Sequence, residues 1–410
     1  MEALDAVLGH KGKITSVSTD IGLDQLQSLH SSFVTPFAEE IVLSVRIDDA
    51  DDISDTATVD IKGEFPSLRR LGAFGFFVPT DKIVAPNLKH LSLEAIYESP
   101  SASATVSVLN MLQGCPQLET VLIHYLIDEY KIPESHVPVA LPKLRSIGLG
   151  CGEVCCGLVL PLRFPPTAVV SFLDVSPVQV DPGASFVLES IRYVLAAVDI
   201  QSLTLAHTED GNEYPPLNGI CIIRYEGPEG SLEIIDRQGD ALDLVVGPGG
   251  LLLSHSPRLD GVKTLHLTDC SIGNYVMTTV ASAVPNVTSV KFAGNNKFPT
   301  FLIPATGSQP LLPHLKHITG LPLDESLLEM VTARKEMGVP LDVLEVNDHH
   351  LTCCRDLKVA ERLKEHVKEV KTWKRTAVPE YRINSVLLDV WKEAGHHVPV
   401  SASLRWITMN

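Results

Sequence analysis

The chain has 410 residues, of which 45% are hydrophobic and 20% charged, with a formal net charge of −17. That length admits two ordinary domains or one solenoid, and the apolar content excludes a disordered chain. The negative charge excludes phosphate-backbone binding as the main task, because that needs a cationic surface.

Met1 to His10 carries Glu2 and Asp5 and no long apolar run, so it does not read as a secretory signal. Residues 1–60 hold two strand-like runs, Ile41 to Ile47 and Ala57 to Ile61, and are expected to form an N-terminal strand-containing cap. The acids Asp48, Asp49, Asp51, Asp52 and Asp55 lack the glycine turn and spaced glutamate of a calcium loop, which favours a solvated loop.

From residue 61 a phrase recurs: an apolar residue or Cys, a proline, any residue, then aliphatics separated by two polar residues and by one. It reads Phe65-Pro66-Ser67-Leu68-Arg69-Arg70-Leu71, then Ala85-Pro86-Asn87-Leu88-Lys89-His90-Leu91-Ser92-Leu93. It returns at Cys115-Pro116, Leu141-Pro142, Val284-Pro285, Leu312-Pro313 and Val339-Pro340. Copies without the proline keep the spacing at Ile200-Leu203-Leu205, Val262-Leu265-Leu267 and Leu341-Leu344-Val346. The alternation places the aliphatics on one face of a short strand, with the proline at the strand's start.

Helical patterns fall between phrases. They cover Ser103 to Gln113, with Gly114 as a left-handed cap, then Ala184 to Ala197 and Gly273 to Ala283. A fourth covers Asp324 to Met337, with Asp324 as N-cap and Gly338 beyond the end. A strand, a helix and a return to the next strand give a parallel sheet lined by helices. Residues 206–255 break the pattern and read as a hairpin, Gly219 to Tyr225 and Ser231 to Arg237 around Glu226-Gly227-Pro228-Glu229-Gly230. After His350, Asp356 to Trp373 reads as a charged helix and Asn384 to Ala394 as a second, so residues 351–410 are expected to form a helical C-terminal cap.

The copies lie roughly 20–30 residues apart, the period of leucine-rich repeats. The fullest matches are Val262-x-x-Leu265-x-Leu267-x-x-Cys270 and Val287-x-x-Val290-x-Phe292-x-x-Asn295, where Cys270 and Asn295 would turn inward and satisfy backbone groups of the bend. The fold class expected is α/β: an irregular, horseshoe-like leucine-rich-repeat solenoid over 61–350, with a parallel inner sheet, outer helices and the hairpin insertion at 206–255.

Several chemical readings are weaker than their structural counterparts. Cys151, Cys155, Cys156, Cys353, Cys354, His349 and His350 lack zinc-ligand spacing, and a buried free cysteine is the commoner case. Gly247-Pro248-Gly249-Gly250 is followed by no Gly-Lys-Ser/Thr, so it reads as a turn. The apolar stretch Ala241 to Leu253 contains Asp243 and is too short to span a bilayer. No Gly-x-Ser-x-Gly elbow occurs, and Asn286-Val287-Thr288 lies within a repeat. Arg355 to Arg375 mixes Lys and Arg with Glu361, Glu365 and Glu369, as a solvated capping helix does. No metal, cofactor, nucleic-acid or membrane partner is expected. Eight cysteines without a regular framework point to a reducing compartment, cytoplasmic or nuclear.

The polar gaps of the phrase define two columns. One holds Arg70, His90, Thr120, Ser146, Ser202, Thr264, Ser289 and His317; the other holds Arg69, Lys89, Glu119, Arg145, Gln201, Lys263, Thr288 and Lys316. The second has five cations and one acid. The candidate binding residues are therefore Arg69, Arg70, Lys89, His90, Arg145, Lys263, His266, Lys291, Lys316 and His317, facing a protein partner for which an acidic surface is the electrostatic match. Scattered surface charge is the plainer reading.

The phrases, with Val137-Pro138-Val139-Ala140-Leu141-Pro142-Lys143-Leu144-Arg145-Ser146-Ile147-Gly148-Leu149 and Leu109-Asn110-Met111-Leu112-Gln113-Gly114-Cys115-Pro116, resemble the F-box-like leucine-rich-repeat proteins expanded in mushroom-forming fungi. The resemblance covers about residues 60–350. It implies repeats that hold a protein and, where an F-box precedes them, a Skp-type adaptor in an SCF-type ubiquitin ligase. Residues 1–45 contain no Leu-Pro pair to open an F-box, so the chain reads as an F-box-less paralogue or one truncated upstream. Three functions follow in order: a non-enzymatic interaction scaffold binding a protein on the concave sheet face, a ligase substrate receptor with its F-box missing, and an enzyme with a dispersed site.

Overall fold

The computed structural model describes residues 15–22, 37–46, 63–74, 83–94, 104–124, 137–150, 153–173, 186–208, 220–236, 257–268, 274–293, 302–303, 309–347 and 354–373. The fold is mixed α/β, with extensive strand pairing and several helices. The chain divides into two compact units; described residues through Tyr193 belong to the first, and those from Val194 to the second.

In the first unit the main sheet takes β1 (Ser16–Gly22), β2 (Glu40–Arg46), β4 (Arg70–Phe74), β6 (His90–Glu94), β7 (Thr120–His124), β9 (Ser146–Gly150) and β11 (Val169–Leu173) in that order, all parallel. Two-residue strands make side ladders: β3 (Gly63–Glu64) with β5 (Ile83–Val84), and β8 (Val139–Ala140) with β10 (Leu162–Arg163). The helices are α1 (Ala104–Gln113), the short α2 (Glu153–Gly157) and the start of α3 (Phe186–Ala197).

The second unit pairs β14 (Ser231–Asp236), β13 (Ile220–Glu226) and β12 (Ser202–Thr208) antiparallel. It continues in parallel through β15 (Thr264–Thr268), β16 (Ser289–Ala293), β17 (His317–Leu321), β18 (Val343–Asn347) and β19 (Glu369–Trp373). Its helices are α4 (Asn274–Ala283), α5 (Glu325–Glu336) and α6 (Cys354–Leu363).

The phrase is a turn followed by a strand. The proline occupies the second position of a four-residue turn, not the strand's start. Leu68 N–H donates to the Phe65 carbonyl at 3.1 Å, and Leu88, Leu118, Leu144 and Leu315 repeat the bond. A fixed φ and a missing N–H suit that position. Regular copies then bury four apolar side chains at a fixed spacing: Phe65, Leu68, Leu71 and Ala73; Ala85, Leu88, Leu91 and Leu93; Val284, Val287, Val290 and Phe292. Turn-to-turn hydrogen bonds tie copies together, as from Asn87 Nδ2 to the Pro66 carbonyl at 2.8 Å and from Cys115 Sγ to the Ala85 carbonyl at 3.3 Å. Burial pushes the Cys115 thiol up to about 11, so it remains a neutral donor. Asn286, first residue of the sequon, spends its amide on the Asp260 carbonyl at 3.0 Å.

The four helices expected between the phrases form, with Asp324 Oδ1 capping Leu327 N–H at 2.9 Å and Gly338 at φ +79°. Gly114 differs from expectation. It is not left-handed; its N–H reaches the Asn110 and Met111 carbonyls while φ stays negative. The hairpin forms, but as two antiparallel members of the sheet. The charged segment at 356–373 is not one helix. It stops at Leu363, turns, and adds Glu369–Trp373 to the sheet beside β18, because burying Leu363 and Val367 requires the chain to bend there.

Two local devices shape the second unit. Gly320 sits at φ +91° where β17 skips a register step against β18, pairing Thr319 with Glu345 and Leu321 with Val346. The extra residue turns Leu321 onto the buried face that Ile318 occupies. Leu312 adopts φ +51°, uncommon for a side-chain-bearing residue. Buried Arg334 donates to the Leu311 and Leu312 carbonyls at 3.0 and 2.9 Å, and burial lowers its pKa to about 10.

Candidate functional site on the polar strand faces

In the second unit each strand sends alternate residues to opposite faces. One face carries Leu203, Leu205, Leu265, Leu267, Val290, Phe292, Leu344 and Val346, all buried. The pairing register places on the other face a row running Glu233, Arg224, Thr204, His266, Lys291, Thr319, Glu345 and Lys371, one residue per strand from β14 to β19. Beside it runs a second row: Ser231, Glu226, Ser202, Thr264, Ser289, His317, Val343 and Glu369.

The row is closed at one end and open further along. Glu233 is buried and paired to Arg224 at 2.5 Å, and Arg224 also approaches Glu226 at 3.4 Å. Thr204 is buried, His266 half-buried and Lys291 exposed. Burial holds the His266 imidazole below its ordinary pKa, the Lys291 ammonium adds to that, and Glu226 opposes. On β17 and β18, His317 Nε2 lies 3.2 Å from Glu345 Oε1 and Thr319 Oγ1 donates to Glu345 Oε2 at 3.3 Å.

In the first unit the equivalent face is not an open polar surface. Gly72, Ser92, Leu122, Gly148 and Ser171 occupy its central row and are all buried. At the strand ends, buried His124 approaches Glu94 at 3.7 Å. A Cβ on Gly150 would stand 1.7 Å from the His124 ring, so glycine is required there.

The predicted binding residues therefore separate into two groups. Arg69, Arg70, Lys89, His90 and Arg145 lie together at the heads of the first unit's strands, and acids interleave them. Arg69 pairs with Glu39 at 3.9 Å, Arg70 with Glu40 at 3.5 Å, and Glu119 sits between Lys89 at 2.8 Å and Arg145 at 3.7 Å. The Lys89 hydrogen bond, with help from Arg145 and His90, holds the Glu119 carboxyl below its ordinary range. Lys263, His266, Lys291, Lys316 and His317 lie together on β15 to β17 and their leading residues. Lys316 Nζ donates to the Pro340 carbonyl at 3.3 Å, and its charge acts on Asp342, which also holds Lys368 at 2.7 Å. Lys263 and Lys291 make no ion pair among the described residues.

Cys270 and Asn295 lie outside the described residues, as do Asp48 to Asp55, Gly247 to Gly250, Ala57 to Ile61, Asn384 to Ala394, Cys151, His349, His350 and Cys353. Sequence reading missed Arg224, Glu233, Thr319 and Glu345, which enter the row only through the hairpin and strand registers. The alternation in Ile220-Cys221-Ile222-Ile223-Arg224-Tyr225-Glu226 was the available signal for Arg224. Among the described residues, no group of three or more His, Cys, Asp or Glu side chains is placed to hold a metal ion, and no helix is long and apolar enough to cross a membrane. No protein-family model matches the chain, and no curated protein matches it.

Proposed function

We propose that this chain is a non-enzymatic protein-interaction scaffold, an irregular leucine-rich-repeat solenoid over residues 61–350 that seats a protein partner on the polar face of its strands. The observation that carries the reading is the second unit's row from His266 to Lys371. It presents polar side chains on successive strands, half-buried or exposed, on the face opposite the apolar core. Rows of side chains on short parallel strands give a rigid, evenly spaced contact surface, because each strand is held by its neighbours. The recurrent turn and strand, with equivalent residues in register, supports the repeat reading.

The test places a photo-crosslinking amino acid at Thr319 on this face and, separately, at Glu329, an exposed residue of α5. In the native cell extract, the Thr319 probe should give a discrete adduct that the Glu329 probe does not. The partner identified from it should bind the purified chain and lose affinity on Glu345→Lys. Equal adducts from both positions, or binding indifferent to Glu345→Lys, would refute the proposal.

A further inference from the structure

The first unit pairs its strand-head cations with acids, whereas in the second unit Lys263 ahead of β15 and Lys291 within β16 have no acid partner among the described residues. Arg69, Arg70, Lys89 and Arg145 each have a glutamate from a neighbouring strand within ion-pair distance. Across β15, β16 and β17 with their leading residues, the sequences Lys263 to Thr268, Thr288 to Ala293 and Lys316 to Leu321 contain no Asp or Glu. Within them Lys263 and Lys291 are exposed and lack any acid partner among the described residues, in a chain of net charge −17. Hydroxyls lie between them: Thr264 and Ser289 are register partners, and Ser289 Oγ is buried without a hydrogen-bond partner among the described residues. His266 adds a further polar group beside Lys291.

We infer that this patch of the second unit seats an acidic, extended segment of the protein partner, with two carboxylates three residues apart taken by Lys263 and Lys291. The inference rests on the scaffold reading above and names the chemistry of its partner. The spacing comes from the sheet. Lys291 pairs in register with His266, three residues beyond Lys263. One strand step of about 4.8 Å and three residue steps of about 3.3 Å separate the two lysine Cα atoms by about 11 Å. A peptide in the extended polyproline-II form advances about 9 Å in three residues and returns every third side chain to one face, so carboxylates at every third position match two separated point charges. Carboxylates at every second position point to different sides of that helix and would leave one lysine unanswered. Lys316 borders the patch but already acts on Asp342, so it contributes less.

The test uses the full chain and fluorescein-labelled twelve-residue peptides in anisotropy titrations at low salt. One peptide carries four glutamates at every third position with serine and glycine between; a second has the same composition with the glutamates at every second position, so that no two lie three residues apart. The every-third peptide should bind more tightly than the every-second one and weaken as salt rises. The double variant Lys263→Gln, Lys291→Gln should lose about tenfold or more in affinity. Both residues are exposed, and an unchanged melting curve will show that the fold is intact. The control Arg69→Gln, Lys89→Gln removes cations that already have acid partners and should change affinity by less than about twofold. Equal binding of both peptides, an unaffected Lys263/Lys291 variant, or an equal loss in the control overturns the inference. If the every-third peptide does not bind while the Thr319 probe still yields its partner, the acidic-segment inference fails and the scaffold reading stands; if both fail, both are refuted.

Discussion

Replacing Gly320 and Gly338 by alanine, one at a time, separates steric from conformational cost within one unit. Both glycines have positive φ, +91° and +79°. A Cβ at Gly338 meets nothing within 4 Å, so Gly338→Ala carries only the penalty of a left-handed alanine, about 1 kcal/mol. A Cβ at Gly320 would stand 2.0 Å from the Phe292 carbonyl oxygen, where ordinary contact begins near 3.4 Å. The obstacle is backbone of β16, which cannot rotate aside. Relief requires β17 to move by more than an ångström. That strains one or two ladder hydrogen bonds at about 1 kcal/mol each and disturbs fully buried Leu321, worth about 2 kcal/mol. With the same conformational term, Gly320→Ala should cost about 4 kcal/mol against about 1 for Gly338→Ala. Urea denaturation of each variant, comparing midpoints at unchanged slope, measures the difference. Costs equal within about 0.5 kcal/mol would refute the claim that close backbone approach, and not φ alone, selects glycine at 320.

Tyr225 is fully buried on the apolar face, its hydroxyl has no hydrogen-bond partner among the described residues, and burial drives its pKa far up. Tyr225→Phe should therefore leave stability unchanged or raise it by up to about 1 kcal/mol, and a clear destabilisation in urea would show that the hydroxyl is satisfied. Glu119 has a folded-state pKa below its ordinary value of 4.5, so its contribution is present above the ordinary carboxylate range and is lost as pH falls through the folded value. Glu119→Gln should cost under about 1 kcal/mol at pH 7 and nothing in strong acid, measured by thermal melts across pH; a cost independent of pH would sink the ion-pair account.

The core was legible because its rules are local. A turn residue, two polar residues and alternating aliphatics fix which side chains face inward within about nine residues of chain, and those aliphatics are buried copy after copy. The proline lies four residues ahead of the strand's start, as Pro66 does of Arg70 and Pro86 of His90, and its role was misplaced because a turn and a strand's start place the same demand on φ and the missing N–H. The segment 356–373 misled because closely spaced charges look solvated in any conformation. Its strand is visible only as the short alternation Glu369-Val370-Lys371. The column of strand-head residues looked basic because the reading followed the proline phrase. Apart from Glu119, its acids sit in copies that lack the proline or were read only for their aliphatics: Glu39 ahead of β2 and Asp342 ahead of β18.

The sequence by itself determined the period, the turns and the buried face of most strands, since each depends on residues close along the chain. Tertiary structure decided which charges meet. Arg69 finds Glu39, Lys89 finds Glu119, and Arg224 finds Glu233 across strands whose pairing no local pattern specifies. It also decided that the first unit's central row is buried while the second unit's row opens at His266 and Lys291. At Gly320 a single inserted residue shifts the register of one strand pair and returns Leu321 to the core. Long-range pairing sets charge neighbours and burial together. The two lysines without acid partners among the described residues therefore emerged from the strand register and not from the count of cations in the chain.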